Sequence, residues 1–424
     1  MRAHQRLLFF AGQLGIMCTV RFFFQWIIDF THAPPPGASA PPLFPVALVG
    51  LVLLGFRIFD AATDPVAGTF ADRWVAAGRQ RRSLLWFSFL LPGIGLAMIF
   101  APYHGMSVGW RWTLLVAGMF VYFIGYTAFA IPYWSLVEDY ATGDRKTRSS
   151  LSSLLGLGTL VATVIAFVVT PYIVDRFGFF AAALAIAVGA VILMPAAYFA
   201  APAASRAERA PRRPRPSAAL LKSALTDRRF LSVLCVFAGS QMAFTMLSAA
   251  APFVAVDLLR GSRGDVALIL GPLLLVAIPC FAGASRLSLR IGWERAVVGA
   301  GCGLCVIYFL TYLLGIVSIG SLLGTAILLY ALAGPLVAVM LGLEGEAIAT
   351  CARNRGGEAV SVYFGTYNFT TKALNGLSIA ITGAMVALSD GSCGATAIRL
   401  TGPLSGGFLA LGILLYFVLR PRRR

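Results

Sequence analysis

The sequence predicts an all-α membrane protein with twelve transmembrane helices in two six-helix bundles. Of its 424 residues, 59% are hydrophobic and 12% are charged, and the mean hydropathy is +0.83. This composition is typical of a polytopic membrane protein and excludes an ordinary soluble domain. Long apolar stretches recur along the chain, and basic residues accumulate in every second connection between them.

Each predicted span is long enough to cross a bilayer, which takes about 20 apolar residues. The twelve spans lie at approximately 7–29, 42–66, 83–102, 110–136, 152–174, 178–200, 230–256, 264–284, 295–316, 319–343, 359–388 and 401–420. Residues 1–200 are predicted to form the N-terminal bundle and residues 230–424 the C-terminal bundle. Residues 201–229 contain four prolines and seven arginines and are predicted to be a basic cytoplasmic linker.

The distribution of basic residues explains the formal charge of +17 without a nucleic-acid partner. With these spans, 26 lysines and arginines fall on one side of the membrane, 5 on the other and 3 inside spans. By the positive-inside rule, both termini and the linker are cytoplasmic. We therefore expect a multi-pass protein of the cell membrane, either the bacterial inner membrane or the plasma membrane, with attraction to anionic lipid as a further use of the charge.

No sequence feature predicts a cofactor or an enzyme. The seven cysteines are scattered, and the pair Cys302-x-x-Cys305 lies in an apolar span without a second pair, so packing is its expected role. The three histidines are not clustered. There is neither a phosphate-binding loop nor a Gly-x-Ser-x-Gly motif. No metal is expected beyond a possible sodium ion.

The second span contains an unusual group of ionisable residues. Asp60 and Asp64 lie one helical turn apart, and Arg57 precedes them on the same stripe. Each charge near a bilayer centre costs roughly 2.5–3.5 kcal/mol on insertion scales, so the group is expected to face water, an ion or a partner inside the protein. Pro65 frees a backbone carbonyl one turn earlier, and Thr63 adds a hydroxyl, which together favour a cation site. The alternative is an internally neutralised structural network in which Arg57 holds the aspartates.

Spans one and four contain further polar residues at depth. Arg21 lies at mid-depth in span one, a little over two turns after Gln13, and is expected to face a cavity or a carboxylate. Tyr126 and Thr127 supply hydroxyls in span four, and the indole of Trp134 is suited to stacking on a sugar face. Each of these span-four residues could equally serve in helix-interface packing or as an aromatic anchor.

Two other stretches are candidates for gating and for substrate binding. Asp72 and Arg73 begin the basic loop after span two, where they are predicted to form a cytoplasmic latch. The alternative is that the charges of this loop only set the orientation of the protein in the membrane. Lys372 lies about thirteen residues into span eleven, close to Asn368. We expect Lys372 to reach an aspartate of span two across a cavity, whereas the alternative is snorkelling to the cytoplasmic surface.

Three of these stretches together resemble the glycoside–pentoside–hexuronide:cation symporters of the major facilitator superfamily. They are Arg57-x-x-Asp60-Ala-x-x-Asp64-Pro65, Tyr126-Thr127-x-x-x-Ile131-Pro132-x-Trp134-Ser135-Leu136, and Glu358 through Tyr363 to Lys372. The Asp72-Arg73 loop likewise resembles the superfamily's loop between helices two and three. The resemblance implies the major facilitator fold, a site for Na+, Li+ or H+ at Asp60, Asp64 and Thr127, and a sugar cavity lined or supported by Trp134 and Lys372.

The sequence departs from melibiose-type members at three places. Ala130 stands where those members have a third acidic residue, and Gln13 aligns approximately with another. The region 152–158 is uncharged where they have a sugar-binding arginine. We therefore expect neutral α-galactosides not to be substrates, and the loss of a third carboxylate favours H+ over Na+.

The deep charges favour an anionic solute. Arg21, Arg57 and Lys372 contribute three positive charges, against two negative charges from Asp60 and Asp64. A net charge of +1 suits a uronide or another carboxylated molecule better than a neutral sugar.

The predicted function is cation-coupled symport of a sugar or sugar-acid-like solute by alternating access. Asp64 is the expected main cation ligand and Asp60 the second, while Arg57 holds Asp60 and Lys372 competes with the cation. The expected partners are a small-molecule substrate, the coupling H+ or Na+, and membrane lipid, and the protein is expected to be a monomer. The alternative is a lipid or lysolipid transporter of the same fold. No motif in the sequence supports a membrane enzyme or a sensor.

Overall fold

The computed structural model describes residues 2–32, 42–141, 144–201, 218–353, 359–391 and 393–420, and it is built of helices. Residues 34–41 of the proline-rich loop, most of the predicted linker, and Glu358 lie outside the described residues. In chain order the helices are α1 (Ala3–His32), α2 (Val46–Ala76), α3 (Ser83–Ser88), α4 (Leu91–Ile99), α5 (Val108–Ala141), α6 (Arg145–Val164), α7 (Thr170–Leu193), α8 (Ala196–Phe199), α9 (Ala218–Thr226), α10 (Arg228–Phe253), α11 (Val266–Ile291), α12 (Trp293–Leu310), α13 (Leu322–Arg353), α14 (Ala359–Ser389) and α15 (Ala395–Leu419). The predicted all-α class is confirmed.

Within the described residues, 10 helical segments are long and apolar enough to cross a membrane. The difference from the predicted count of twelve arises in two places. The segment Lys146–Phe199 has 54 residues and is interrupted at Gly178, where φ is 82°, so its length suffices for two crossings. The region Ser83–Ile99 is apolar but contains only short helices. The chain is therefore a multi-pass membrane protein, while the count of twelve is not shown by length and composition alone.

Two helices that contain predicted site residues continue through an internal proline. Pro65 lies inside α2 and Pro132 inside α5. Proline has no N–H to donate to the carbonyl four residues earlier, so each helix has a carbonyl without its usual partner. Those carbonyls lie one turn before each proline, close to the polar side chains of the two motifs.

The chain divides into two compact units, and the division falls inside α2. The first unit comprises residues 1–43 and 59–212, and the second comprises residues 44–58 and 213–424. In the first unit, α1 packs against α6 and α7, and α4 packs against α5. Buried aromatic side chains fill the contact between α1 and α5: the rings of Phe23 and Tyr122 are stacked, with centroids 4.9 Å apart.

In the second unit, α10 packs against α14 and α15, and α11 packs against α13. The start of α10 is fixed by Asp227, whose carboxylate accepts hydrogen bonds from the backbone N–H groups of Arg229 and Phe230. The same carboxylate accepts a 2.8 Å bond from the Tyr363 hydroxyl of α14. A helix cap and an interhelical contact therefore share one buried side chain. The predicted boundaries at residues 200 and 230 remain predictions.

Candidate functional site

The two aspartates of α2 lie in the first unit, and a threonine of α5 contacts the first of them. Asp60 is completely buried, and its Oδ1 accepts a 2.9 Å hydrogen bond from Thr127 Oγ1. Thr127 is 3% exposed. The donor and the acceptor come from α2 and α5, 67 residues apart in sequence. The structure thus brings together two of the three residues predicted to bind a cation.

Asp64 lies one turn further along α2, with a partly buried side chain whose Oδ1 is inaccessible to solvent. Between the two aspartates, the Thr63 hydroxyl donates a 3.0 Å bond to the backbone carbonyl of Asp60. Pro65 leaves a neighbouring carbonyl without its helical donor. This part of α2 is therefore rich in oxygen atoms, which are the ligands that hard cations prefer.

A chain of hydrogen bonds joins α1, α5 and α6 in the same unit. Trp134 Nε1 donates a 3.0 Å bond to Gln13 Oε1, and Gln13 Nε2 donates a 2.9 Å bond to Thr159 Oγ1. The ring of Tyr126 meets the Trp134 ring edge-on at 6.3 Å between centroids. Three of the residues predicted to bind substrate (Gln13, Tyr126 and Trp134) thus form one connected group. Thr159, which completes it, was not singled out from the sequence.

Arg21 lies eight residues beyond Gln13, about 12 Å further along the α1 axis. Its side chain is partly buried, with the Nε atom inaccessible to solvent. The guanidinium interacts electrostatically with Tyr126 of α5. Arg21 therefore extends the polar group of the first unit along α1, and the predicted cavity or carboxylate partner of Arg21 stays a prediction.

The other predicted residues lie in the second unit. Arg57 is buried and packs against Gly376 of α14, where a Cβ on the glycine would lie 2.8 Å from Arg57 Cβ. Only glycine permits this approach. Lys372 is partly buried one turn earlier on α14, and Asn368 is exposed. The predicted pairing of Lys372 with Asp60 or Asp64 stays a prediction, as does the predicted support of Asp60 by Arg57.

The predicted latch residue Asp72 forms an ion pair within the first unit. Arg81 donates one 2.9 Å bond to Asp72 Oδ1 and another to Asp139 Oδ2. The arginine side chain is 8% exposed, whereas Arg73 is exposed. Arg81 thus joins the end of α2 to the end of α5, and the gating role of the cluster stays a prediction.

A polar cluster in the second unit was missed in the sequence. Glu344 of α13 accepts a 2.8 Å bond from Gln241 of α10 and a 2.6 Å bond from the Tyr367 hydroxyl of α14. The only sign of this cluster in the sequence is that Glu344 directly follows the apolar span predicted at 319–343. The predicted tenth span ended at residue 343, so Glu344 was assigned to the following connection.

A surface hollow of about 430 Å³ lies near the start of α5, lined mainly by Met106, Trp110 and Leu114. None of the predicted site residues lines it. Its lining is mostly apolar, so we do not assign the polar solute site to this hollow. In the described part of the chain, no group of three or more histidine, cysteine, aspartate or glutamate residues could hold a metal ion.

Comparison with protein families decides the general class of this protein. A profile of the family described as MFS/sugar transport protein matches residues 44–418, nearly the whole chain. The chain belongs to the MFS/sugar transport protein family. The resemblance to major facilitator transporters is thereby confirmed, and the protein is a transporter rather than an enzyme.

One characterised relative of this MFS/sugar transport protein is the sodium-dependent lysophosphatidylcholine symporter 1 of Xenopus tropicalis. It is 30% identical over 155 residues, which cover 33% of this chain and 26% of that relative. The match thus spans about a quarter of the relative's length. The similarity joins this chain to a symporter of the same family without determining its solute.

Solved structures support the same fold. A bacterial homologue of the human lysosomal transporter Spinster, in an inward-facing and unoccupied conformation, has a TM-score of 0.70 at 16% identity over 99% of this chain and 97% of that chain. A structure of a proton-dependent oligopeptide transporter has a TM-score of 0.64 at 13% identity, over 99% of this chain and 98% of that chain. At these identities the likeness shows the fold alone.

Proposed function

We propose that this protein is a cation-coupled symporter of an organic solute and that Asp60, Asp64 and Thr127 bind the coupling cation. The hydrogen bond from Thr127 to the fully buried Asp60 is the observation that carries this proposal. A buried carboxylate is stable as an anion only where charges or hydrogen bonds compensate for its lost hydration. A cation bound beside Asp60 and Asp64 would add to the interactions that these carboxylates already make.

The direction of the Thr127 hydrogen bond favours an additional role for its hydroxyl. Because Thr127 Oγ1 donates its single hydrogen to Asp60, the lone pairs of the hydroxyl oxygen are available to a cation. The carboxylate oxygens of Asp64 and the free carbonyl before Pro65 lie in the adjacent turn of α2. These groups together supply oxygen ligands for Na+, and the carboxylates alone suffice for H+.

For the solute, we propose a sugar or a sugar acid that binds near Gln13, Arg21, Tyr126 and Trp134 of the first unit. The substrate-binding roles of Lys372 and Asn368 of the second unit stay predictions. The indole and amide groups suit a hydroxylated solute, and Arg21 suits an acidic one. The description of the family as sugar transporters also supports this choice.

A lysolipid is the second candidate solute, because the Xenopus relative is a lysophosphatidylcholine symporter. A sugar acid and a lysophospholipid share an anionic group beside hydroxyl groups, but only the lysolipid has a long acyl chain. Competition between the two classes for binding therefore distinguishes the candidates. Neutral α-galactosides such as melibiose are expected to compete with neither.

We further propose that the protein acts as a monomer in the cell membrane with both termini in the cytoplasm. The excess of basic residues on one side of the spans supports this orientation. The cluster of Asp72, Arg81 and Asp139 then lies at the cytoplasmic ends of α2 and α5, where Asp72 and Arg73 are placed to act during alternating access.

The test is thermal unfolding of the purified protein with Na+, Li+ or K+ and across a pH series. A cation at 100 times its dissociation constant should stabilise the protein by about 2.7 kcal/mol. The Na+ or pH response should disappear in Asp64→Asn and weaken in Thr127→Val. The matched control is Thr31→Val, since Thr31 is fully buried and, among the described residues, its hydroxyl bonds to carbonyls of its own helix.

A sodium response lost in Asp64→Asn would establish a sodium site, and a pH response alone that is lost in this variant would establish proton coupling. If neither ions nor pH change the unfolding temperature, and Asp64→Asn unfolds like the wild type, the aspartates are structural. The symporter proposal would then be rejected.

A further inference from the structure

Gln25 of α1 is a buried polar side chain without a hydrogen-bond partner among the residues that the structure describes. It is 1% exposed, and neither its Nε2 nor its Oε1 is satisfied within the described chain. Arg21 Nε, one turn earlier, is also buried and unsatisfied by any described residue. Burying polar groups without partners is unfavourable, so native structures mostly avoid it, and a bound ligand is one reason for an exception.

The two side chains lie on one stripe of α1. Residues four apart on a helix have Cβ atoms about 6 Å apart, which is close enough for both side chains to reach a single small group. Tyr126 of α5 adds a hydroxyl-bearing ring that interacts electrostatically with Arg21. The stripe therefore combines a guanidinium, a primary amide and a neighbouring phenol.

We propose that Arg21 and Gln25 bind an anionic oxygen group of the transported solute, a carboxylate or a phosphate. This inference rests on the proposed transport function and narrows its substrate class. The arginine supplies the positive charge and paired N–H donors that match a planar carboxylate or a phosphate. The Gln25 amide donates to the same group, and its carbonyl oxygen accepts a bond from a hydroxyl next to it.

An anion explains these side chains better than a neutral solute does. A neutral sugar could satisfy hydrogen bonds, but it would leave the guanidinium charge uncompensated at the middle of a transmembrane helix. Asp29, one turn beyond Gln25, is buried and has an interaction of its own. It lies eight residues from Arg21, about 12 Å along the axis, so the anion is expected at the Arg21 end of the stripe.

The experiment measures binding to purified protein in nanodiscs of neutral lipid, with the coupling cation present. Two pairs of probes separate the sources of the anion: glucuronate against glucose, and lysophosphatidylcholine against a monoacylglycerol of the same chain length. The protein variants are Arg21→Gln and Gln25→Met. The control is Arg176→Gln, which removes the same charge at an exposed position of the first unit.

In the wild type, the member of one pair that carries an anionic oxygen group (the carboxylate of glucuronate or the phosphate of zwitterionic lysophosphatidylcholine) should bind more tightly than the member without one. Arg21→Gln should weaken that binding about tenfold or more, and Gln25→Met severalfold, since each removes donors to a charged group. Arg176→Gln should bind like the wild type. Preference for glucuronate would identify a sugar acid, and preference for lysophosphatidylcholine a phospholipid.

A second measurement needs no solute. If the two side chains serve a ligand, the empty Gln25→Met protein should unfold at the same or a higher temperature than the wild type, because a buried unsatisfied amide has been removed. A marked loss of stability would indicate an essential structural partner and overturn the proposal. Failure of every anionic probe to bind, or equal binding to Arg21→Gln and wild type, would also overturn it.

Failure of this proposal is distinguishable from failure of the symporter proposal. The response of thermal stability to Na+ and pH should persist in Arg21→Gln, since Asp60 and Thr127 are unchanged. A wild-type protein without that response rejects cation coupling, whereas an intact response without anion selectivity rejects only the oxyanion site.

Discussion

Replacing Gly158 by alanine should disturb the polar chain that joins α1, α5 and α6. Gly158 is buried in α6, where an added Cβ would lie 2.7 Å from Gln13 Cγ and 2.9 Å from Gln13 Cβ. Carbon atoms in favourable contact are about 3.5–4.0 Å apart, so the two helices must separate by about 1 Å or Gln13 must rotate. Either movement weakens the bonds from Trp134 to Gln13 and from Gln13 to Thr159.

The expected net loss of stability is about 1–3 kcal/mol. Overpacking in a close-packed interior costs about 1–3 kcal/mol. Alanine is favoured over glycine inside a helix by about 0.8–1.0 kcal/mol, which offsets part of that loss. Loss of one hydrogen bond adds about 1 kcal/mol.

The assay is thermal unfolding in detergent, followed by intrinsic fluorescence. Gly156→Ala is the matched control, because Gly156 lies on the same helix with open space around its Cα. The control should be as stable as the wild type or slightly more stable. If Gly158→Ala unfolds at the temperature of Gly156→Ala, the contact between Gln13 and α6 is looser than described, and the reasoning fails.

Two further predictions concern charged groups near helix ends. Arg81→Gln should destabilise the protein by about 1–2 kcal/mol in thermal unfolding, a value discounted because Asp72 is 53% exposed and Asp139 33% exposed. The control Arg286→Gln, at an exposed position, should change stability by less than about 0.5 kcal/mol, and equal effects would contradict the structural role of Arg81. At the start of α6, the Thr147 hydroxyl and the N–H groups of Lys146 and Thr147 lower the pKa of Asp144. Its stabilising contribution is therefore complete above the unfolded-state pKa of about 3.9 and is lost as the pH falls through the lower folded-state pKa. The difference in unfolding temperature between wild type and Asp144→Ala should shrink over that acidic range, and a constant difference would argue against the capping carboxylate.

Several candidate site residues could be identified from the sequence because they are charged residues within apolar segments. Asp60, Asp64 and Arg21 are charged residues within apolar stretches that are long enough to span a bilayer. Burying a charge there is costly, so such residues are rare and usually have a partner or a function. The spacing of the α2 aspartates also follows directly from helical periodicity. Their presence near other polar groups was therefore predictable without knowledge of the fold.

Other contacts depend on packing between distant segments. Thr159 looks like an ordinary span residue, and only the approach of α6 to α1 makes it a partner of Gln13. Glu344 looked like the end of a span until Gln241 and Tyr367 were found to donate to it from two other helices. Gln25 carried a local signal, its position four residues after Arg21, but its lack of a partner is evident only when the surrounding side chains are in place.

By itself, the sequence determined the class of protein, the apolar segments and the identity of the charges buried among them. Hydropathy and helical periodicity are local properties of the chain and can be read from the sequence. Because placing a charge in hydrocarbon is costly, the few charged residues inside apolar segments stand out. Tertiary structure decided which oxygen meets which donor: Thr127 with Asp60, Gln13 with Trp134, and Arg81 with two aspartates. Except for Arg81 with Asp72, which are nine positions apart, these contacts join residues about 60 to 120 positions apart. Such distant pairings are set by how helices pack together rather than by any local preference of the chain.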